Sequence, residues 1–279
     1  MYAQTPAPII KNMIKKFYKD EKFQAVFFPL LYLVLTVFIV ITGCYIFYKK
    51  YYQPIDVDGT SMQPTLVGGG TSNVPGSTYR YHYGMADLHD SAINSLKRFD
   101  VVVTYYPDSW VGGQKDTTYK IKRVWGFPGE TISLSYDITA HSYTFAVSNS
   151  RNGHNETYKS STLTTIERTF EIEHMEGNKR VIENTTTTFS AYKFSIPSKA
   201  FYVNESDSKR QFSRTLGKSE YFVMGDNWNR STDCYEKISY PDRLTRKYIQ
   251  GKVLYINAYV SLVNGTPTAF HTFKERYYF

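Results

Sequence analysis

The stretch from Ala25 to Phe47, AVFFPLLYLVLTVFIVITGCYIF, carries no charged residue. As a helix it spans roughly 34 Å, enough to cross a hydrocarbon layer of about 30 Å. A helix satisfies its own backbone hydrogen bonds, so a run of this length and composition is suited to lipid. The rival reading is a cleavable leader, whose apolar region covers about 7–15 residues and ends in small side chains. Here the run ends in the bulky CYIFYKKYY, so the sequence predicts a permanent single-pass anchor. Pro29 falls near its start, where a helix tolerates proline best.

The flanks predict an orientation. Lys11, Lys15, Lys16, Lys19 and Lys22 precede the run, and Lys49 and Lys50 follow it. That asymmetry puts the N-terminus in the cytoplasm and everything after residue 50 outside the cell membrane. The N-terminal lysines form part of the net charge of +8, and they suit anionic headgroups, which makes membrane lipid an expected partner. A nucleic-acid partner is not expected, because the rest of the chain is extracytoplasmic and carries no recognition motif. The two cysteines, Cys44 and Cys234, exclude a disulfide framework. The histidines lack zinc-ligand spacing, so neither metal nor cofactor is expected.

Beyond the anchor the chain reads as mainly β. A hydrophobic share of 42% supports a packed core rather than disorder. RFDVVVTYYP contains a buried strand, since Val101–Val103 are β-branched and bounded by Asp100 and Pro107. TTYKIKRVWGFPGETISL reads as strand, tight turn at Pro128-Gly129, strand. EYFVMGDN is a strand entering a polar loop, and YIQGKVLYINAYV is a last strand. Residues 132–215 are rich in Thr, Ser and Tyr, with a turn expected at EGNK. The division expected is therefore a cytoplasmic basic tail (1–24), an anchor (25–47), a β core (48–131 and 216–279) and an inserted variable β module (132–215).

VDGTSMQPTL, just after the anchor, places Ser61 in a loop. A serine hydroxyl becomes a nucleophile only with a base in hydrogen-bond reach. The nucleophile-elbow pattern needs glycine at both second neighbours, and Gly59 fits while Gln63 does not. A Ser-x-x-Lys pattern fails at Pro64. Spacing leaves a histidine base open, and otherwise the base must come from another strand. Lys122 is the candidate, flanked by Ile121, Val124, Trp125 and Phe127, whose apolar surfaces would strip water from an ammonium group. Lys120 shares its face by strand alternation, so spacing does not choose between them. Two solvated edge lysines are the plainer alternative.

GTSMQPTL, RFDVVV, KIKRVWGFPGETI, EYFVMGDN and IQGKV stand in the order found in the type I signal peptidases, and the chain resembles the single-anchor, Gram-positive form of that family. The resemblance implies a signal-peptidase-like β core and a Ser–Lys dyad that cuts signal peptides from secreted preproteins. It makes Ser61 the nucleophile, with Met62 and Pro64 in its substrate-binding block. It selects Lys122 over Lys120 as base, with Arg123 completing that block. It places Asp226 and Asn227 in the Gly-Asp-Asn block, and gives Ser231 the task of orienting the amine, with Asp233 beyond it. The oxyanion would rest on the Ser61 N–H. Gly59 stands where many members carry a hydroxyl donor. The resemblance further implies small substrate residues at −1 and −3, si-face attack and the secretion translocon as a partner. Trp228, Arg230, Cys234 and Tyr235 depart from the usual pattern, which puts the supporting ion pairs in question and suggests a narrow substrate set, such as a surface-fibre or pilus subunit. The other class of function considered is a non-cleaving factor of the same fold that assists pilus or surface-protein assembly.

Overall fold

A computed structural model describes residues 20–57, 59–68, 77–78, 80–106, 118–160, 163–176, 179–196, 199–204, 211–228, 231, 244–263 and 266–279. The chain divides into two units, Met1–Tyr51 and Tyr52–Phe279. In the first, helix α1 runs Glu21–Tyr51 and contains the whole predicted anchor. Asp20 caps it: its carboxylate accepts from the N–H groups of Lys22 (3.0 Å) and Phe23 (3.3 Å). Lys49 and Lys50 occupy the last turn, where positive charge suits the helix dipole. The helix is long and apolar enough to cross a membrane, and none of its most apolar window is buried against protein.

The second unit is built from strands. In chain order they are β1 (Tyr52–Asp56), β2 (Ser77–Thr78), β3 (Arg80–Asp87), β4 (Val101–Tyr106), β5 (Thr118–Gly126), β6 (Thr131–Asp137), β7 (Ser142–Ser148) and β8 (Glu156–Lys159). There follow β9 (Thr164–Glu176), β10 (Lys179–Ile196), β11 (Lys199–Asn204), β12 (Phe212–Thr215), β13 (Glu220–Met224), β14 (Leu244–Thr245), β15 (Ile249–Val263) and β16 (Thr266–Tyr278). A short helix, α2 (Asp90–Asn94), follows β3. The main sheet has the order β1-β3-β15-β4-β5-β13-β14, and β16 adds to β15. Two four-stranded sheets, β12-β6-β7-β8 and β11-β10-β9-β2, take the middle of the chain. Each pairing is antiparallel, so the fold is mainly β, as the composition predicts.

Local sequence explains the central strands. Val101, Val102 and Val103 are all buried, which a strand covered on both faces requires. In β6 and β7, Ile132 and Leu134 face Tyr143, Phe145 and Val147, alternating with half-buried neighbours. Gly129 takes a positive φ in the predicted turn between β5 and β6. The turn expected at EGNK falls between β9 and β10, and its two central residues lie outside the described ones. β3 was not legible in the sequence. It packs so closely on β15 that a Cβ on Gly84 would overlap the Tyr255 carbonyl. One apolar cluster, including Trp125, Phe145, Phe194 and Trp228, joins the main sheet to the middle strands. A second, around Ile55, Met62, Leu66, Val103 and Ile256, underlies the Ser61 loop.

Candidate active site

In the loop after β1, every second side chain from Ser61 to Leu66 is buried. Met62, Pro64 and Leu66 are buried, while Ser61, Gln63 and Thr65 are half-buried. Turn bonds run from the Gln63 N–H to the Thr60 carbonyl (3.2 Å) and from the Leu66 N–H to the Met62 carbonyl (2.8 Å). The Gln63–Pro64 peptide bond is cis. The loop closes on itself at its base, where a Cβ on Gly68 would run into the Gly59 backbone. Gly59 is exposed and has φ +73°, a conformation glycine adopts without strain.

Lys122 lies on β5 opposite Val102. Its side chain is long and charged in water, yet the residue is only 1% exposed. Its amine donates to the Ser231 hydroxyl, and Ser231 is itself buried. Lys120, its rival by alternation, is half-buried. Arg123, next along β5, forms a two-pronged ion pair with Asp226: Nε to Oδ1 at 2.8 Å and Nη2 to Oδ2 at 2.6 Å. Its Nη1 donates to the Phe99 carbonyl at 2.7 Å. The Asp226 carboxylate, fully buried, also accepts from the Thr65 hydroxyl at 2.5 Å. A pair of this kind is stable only because its remaining donors and acceptors are satisfied.

The segment after β13 clamps the serine loop from the other side. The Asn227 N–H donates to the Ser61 carbonyl at 2.9 Å, and its side-chain amide donates to the Thr60 carbonyl at 3.0 Å. Gly225 leaves no room for a side chain, since a Cβ there would overlap both the Ser231 hydroxyl and the Ser61 carbonyl. Ser61, Gly225, Ser231 and Lys122 are thus linked by contact. Close by in the sheet, a pocket of about 300 Å³ opens between Ile55, Ala86, Leu88, Val103, Tyr119 and Ile121. Asp56 and Gln250 give it a polar edge, and burial pushes the Asp56 carboxyl above its ordinary value.

Ser61, Gly59, Met62, Pro64, Lys122, Arg123, Asp226, Asn227 and Ser231 therefore fall in one region, joined by the bonds and contacts above. Asp233, Arg230, Cys234 and Tyr235 lie outside the described residues. Two of the supporting residues, Arg123 and Asp226, form an ion pair. Trp228 is a core residue, 1% exposed, with its ring 5.0 Å edge-on from Tyr143 and 6.0 Å from Trp125. Sequence reasoning missed Thr65, whose block was quoted but whose partner lies 161 residues away. It also missed His82, for which the sequence carries no local signal.

Residues 30–256 match the family model described as signal peptidase, peptidase S26. That match spans most of the chain and sets it among the peptidases. The chain belongs to the signal peptidase family and is a signal-peptide-cleaving hydrolase. It is also 25% identical over 275 residues to the signal peptidase I of Buchnera aphidicola subsp. Baizongia pistaciae (strain Bp), covering 91% of this chain and 82% of that protein.

Proposed function

We propose that the protein cuts signal peptides from secreted preproteins with Ser61 as nucleophile and Lys122 as general base. The observation that carries this is the buried Lys122 amine, held on Ser231, which in turn touches the same glycine as the Ser61 backbone. To act as the base, the amine must present a lone pair to the Ser61 hydroxyl. The amine takes the Ser61 proton as the hydroxyl oxygen attacks the scissile carbonyl. The tetrahedral oxyanion rests on the Ser61 N–H. Its collapse breaks the peptide bond, and the mature protein leaves as the amine with the proton from Lys122. Lys122 then draws a proton from water, whose oxygen attacks the ester; as the bond to Ser61 breaks, Lys122 returns that proton to the Ser61 oxygen, and the signal peptide leaves as the acid, which ionises to the carboxylate.

Arg123 and Asp226 hold the loop in place through Thr65, and Asn227 holds it through the Ser61 carbonyl. Met62 and Pro64 shape the apolar ground under the substrate, and the pocket of about 300 Å³ at Ile55 and Ile121 takes a small substrate side chain. In this reading α1 is a single-pass anchor in the cell membrane of a Gram-positive-type enzyme. The lysine-rich tail is cytoplasmic, the β unit is extracytoplasmic, and lipid and the translocon are neighbours. Residues 48–131 and 216–279 form the catalytic core, a division supported by the main sheet, whose strands all fall within those ranges. Residues 132–215 form the variable module.

The test is incubation of the detergent-solubilised full chain with candidate preproteins, followed by N-terminal sequencing of the products. Ser61→Ala and Lys122→Ala are each expected to abolish cleavage while keeping the thermal unfolding of the parent. Cleavage at the parent rate by either variant would remove the dyad. Binding of preprotein without any cut by the parent would favour the non-cleaving assembly factor.

A further inference from the structure

His82, on β3, makes three hydrogen bonds to the two ends of the Ser61 loop. Its carbonyl accepts from the Val57 N–H at 2.9 Å, before the loop begins. Its N–H donates to the Val67 carbonyl at 2.9 Å, where the loop returns. Its ring nitrogen Nδ1 accepts from the Val67 N–H at 3.2 Å. The first two bonds use the backbone, which any residue supplies. The third needs this side chain. A backbone N–H has only a proton to give, so Nδ1 must carry the lone pair and the ring must hold its proton on Nε2. The ring is fixed edge-on against Phe273, with centroids 5.7 Å apart and planes at 89°. It lines a cavity of about 520 Å³ with Thr65 and Leu66, both on the loop, and with Ile256 and Arg276.

From these contacts we infer that His82 is a positioning residue for the nucleophile: its Nδ1 fixes the far end of the Ser61 loop and so sets where the hydroxyl stands. This inference rests on Ser61 being the nucleophile. The near side of the loop has several anchors, in Asn227 on the Ser61 and Thr60 carbonyls and in Asp226 on Thr65. On the far side, Val67 is where the chain leaves the turn, and both of its backbone groups are bonded to His82. Releasing the N–H bond gives the 59–68 turn freedom to rotate about its other anchors. Nucleophilic attack depends steeply on placement, so lost order at the hydroxyl appears in kcat rather than in substrate binding.

The test compares His82→Ala, His82→Asn and His82→Gln in the full chain in detergent, with Ser61→Ala alongside. The substrate is a synthetic peptide carrying Ala at −1 and −3. An Asn amide oxygen can occupy the place of Nδ1, whereas the polar end of Gln reaches the place of Nε2, away from the Val67 N–H. One neutral hydrogen bond supports a loss of roughly fivefold in kcat for the Ala and Gln variants, with KM nearly unchanged. His82→Asn is expected to recover most of that loss, and its unfolding temperature to match that of His82→Gln. If all three variants fall together in step with their unfolding temperatures, the ring acts by packing on Phe273 alone and the inference is overturned. It is equally overturned if all three keep the parent kcat while Ser61→Ala is dead. If Ser61→Ala cuts at the parent rate, the nucleophile assignment fails first and the tether falls with it.

Discussion

Replacing Asp226 by alanine tests how the loop is held. The carboxylate accepts from Arg123 at 2.8 and 2.6 Å and from Thr65 at 2.5 Å, and it is fully buried. Its removal leaves the Arg123 guanidinium, itself 4% exposed, without its counter-charge. Breaking one side of a buried pair costs about 3–5 kcal/mol. For a domain of this size each kcal/mol moves the unfolding temperature by about 2–4 °C, so a fall of roughly 6–20 °C is expected. Tryptophan fluorescence of the detergent-solubilised chain reads it, because Trp125 and Trp228 are buried in the core. Replacing both partners by apolar residues of similar size, Arg123→Met with Asp226→Leu, removes the stranded charge. Such exchanges are often neutral, so the double variant should unfold within a few degrees of the parent. Its cleavage activity should nevertheless stay low, because Thr65 has lost its acceptor and the serine loop one of its anchors. A small fall in Asp226→Ala, strictly additive effects in the double variant, or full activity in the double variant would each refute the reasoning.

Ser231→Ala removes the hydroxyl that holds the Lys122 amine; kcat should fall roughly five- to tenfold, as for one lost hydrogen bond, with the unfolding temperature little changed. A pH effect arises away from the site, where Glu156 meets Arg98 at 2.7 Å and the Tyr158 hydroxyl at 2.7 Å. Burial pushes the Glu156 carboxyl up, but the Arg98 hydrogen bond, the Tyr158 hydroxyl and the Arg98 charge outweigh it and hold the carboxyl below its ordinary 4.5. Its contribution is therefore present above that value and lost as pH falls through the lower folded value. Urea unfolding across the acid range should show Glu156→Gln with a flatter loss than the parent. Tyr158, pushed up to about 12 by burial and then by Glu156, contributes fully below its ordinary 10.0 and loses that contribution as pH rises through about 12; Tyr158→Phe should remove this alkaline arm.

Much of the architecture was written locally. A charge-free run long enough to cross a bilayer, three consecutive valines in β4 and the Pro128-Gly129 turn each report their structure through near neighbours. The short blocks at Ser61, Lys122 and Asp226 were legible for the same reason, because each is a contiguous stretch of chain. The strand β3 was not, since its Gly84 and Ala86 carry little apolar signal and its place depends on β15, far along the chain. Trp228 read as a departure from a pattern because the aromatic cluster that receives it is drawn from strands and loops far apart in the chain.

The amino-acid order by itself determined the long apolar helix, the β character and the candidate residue types. Tertiary structure alone decided which lysine is buried, which hydroxyl its amine meets and what holds the serine loop. Lys120 and Lys122 share one face of one strand, yet Lys120 is half-buried while Lys122 is buried with its amine on Ser231, 109 residues later. Burial and hydrogen-bond partnership are properties of groups brought together across the fold. No window of sequence around either lysine contains Ser231, whose hydroxyl the Lys122 amine meets.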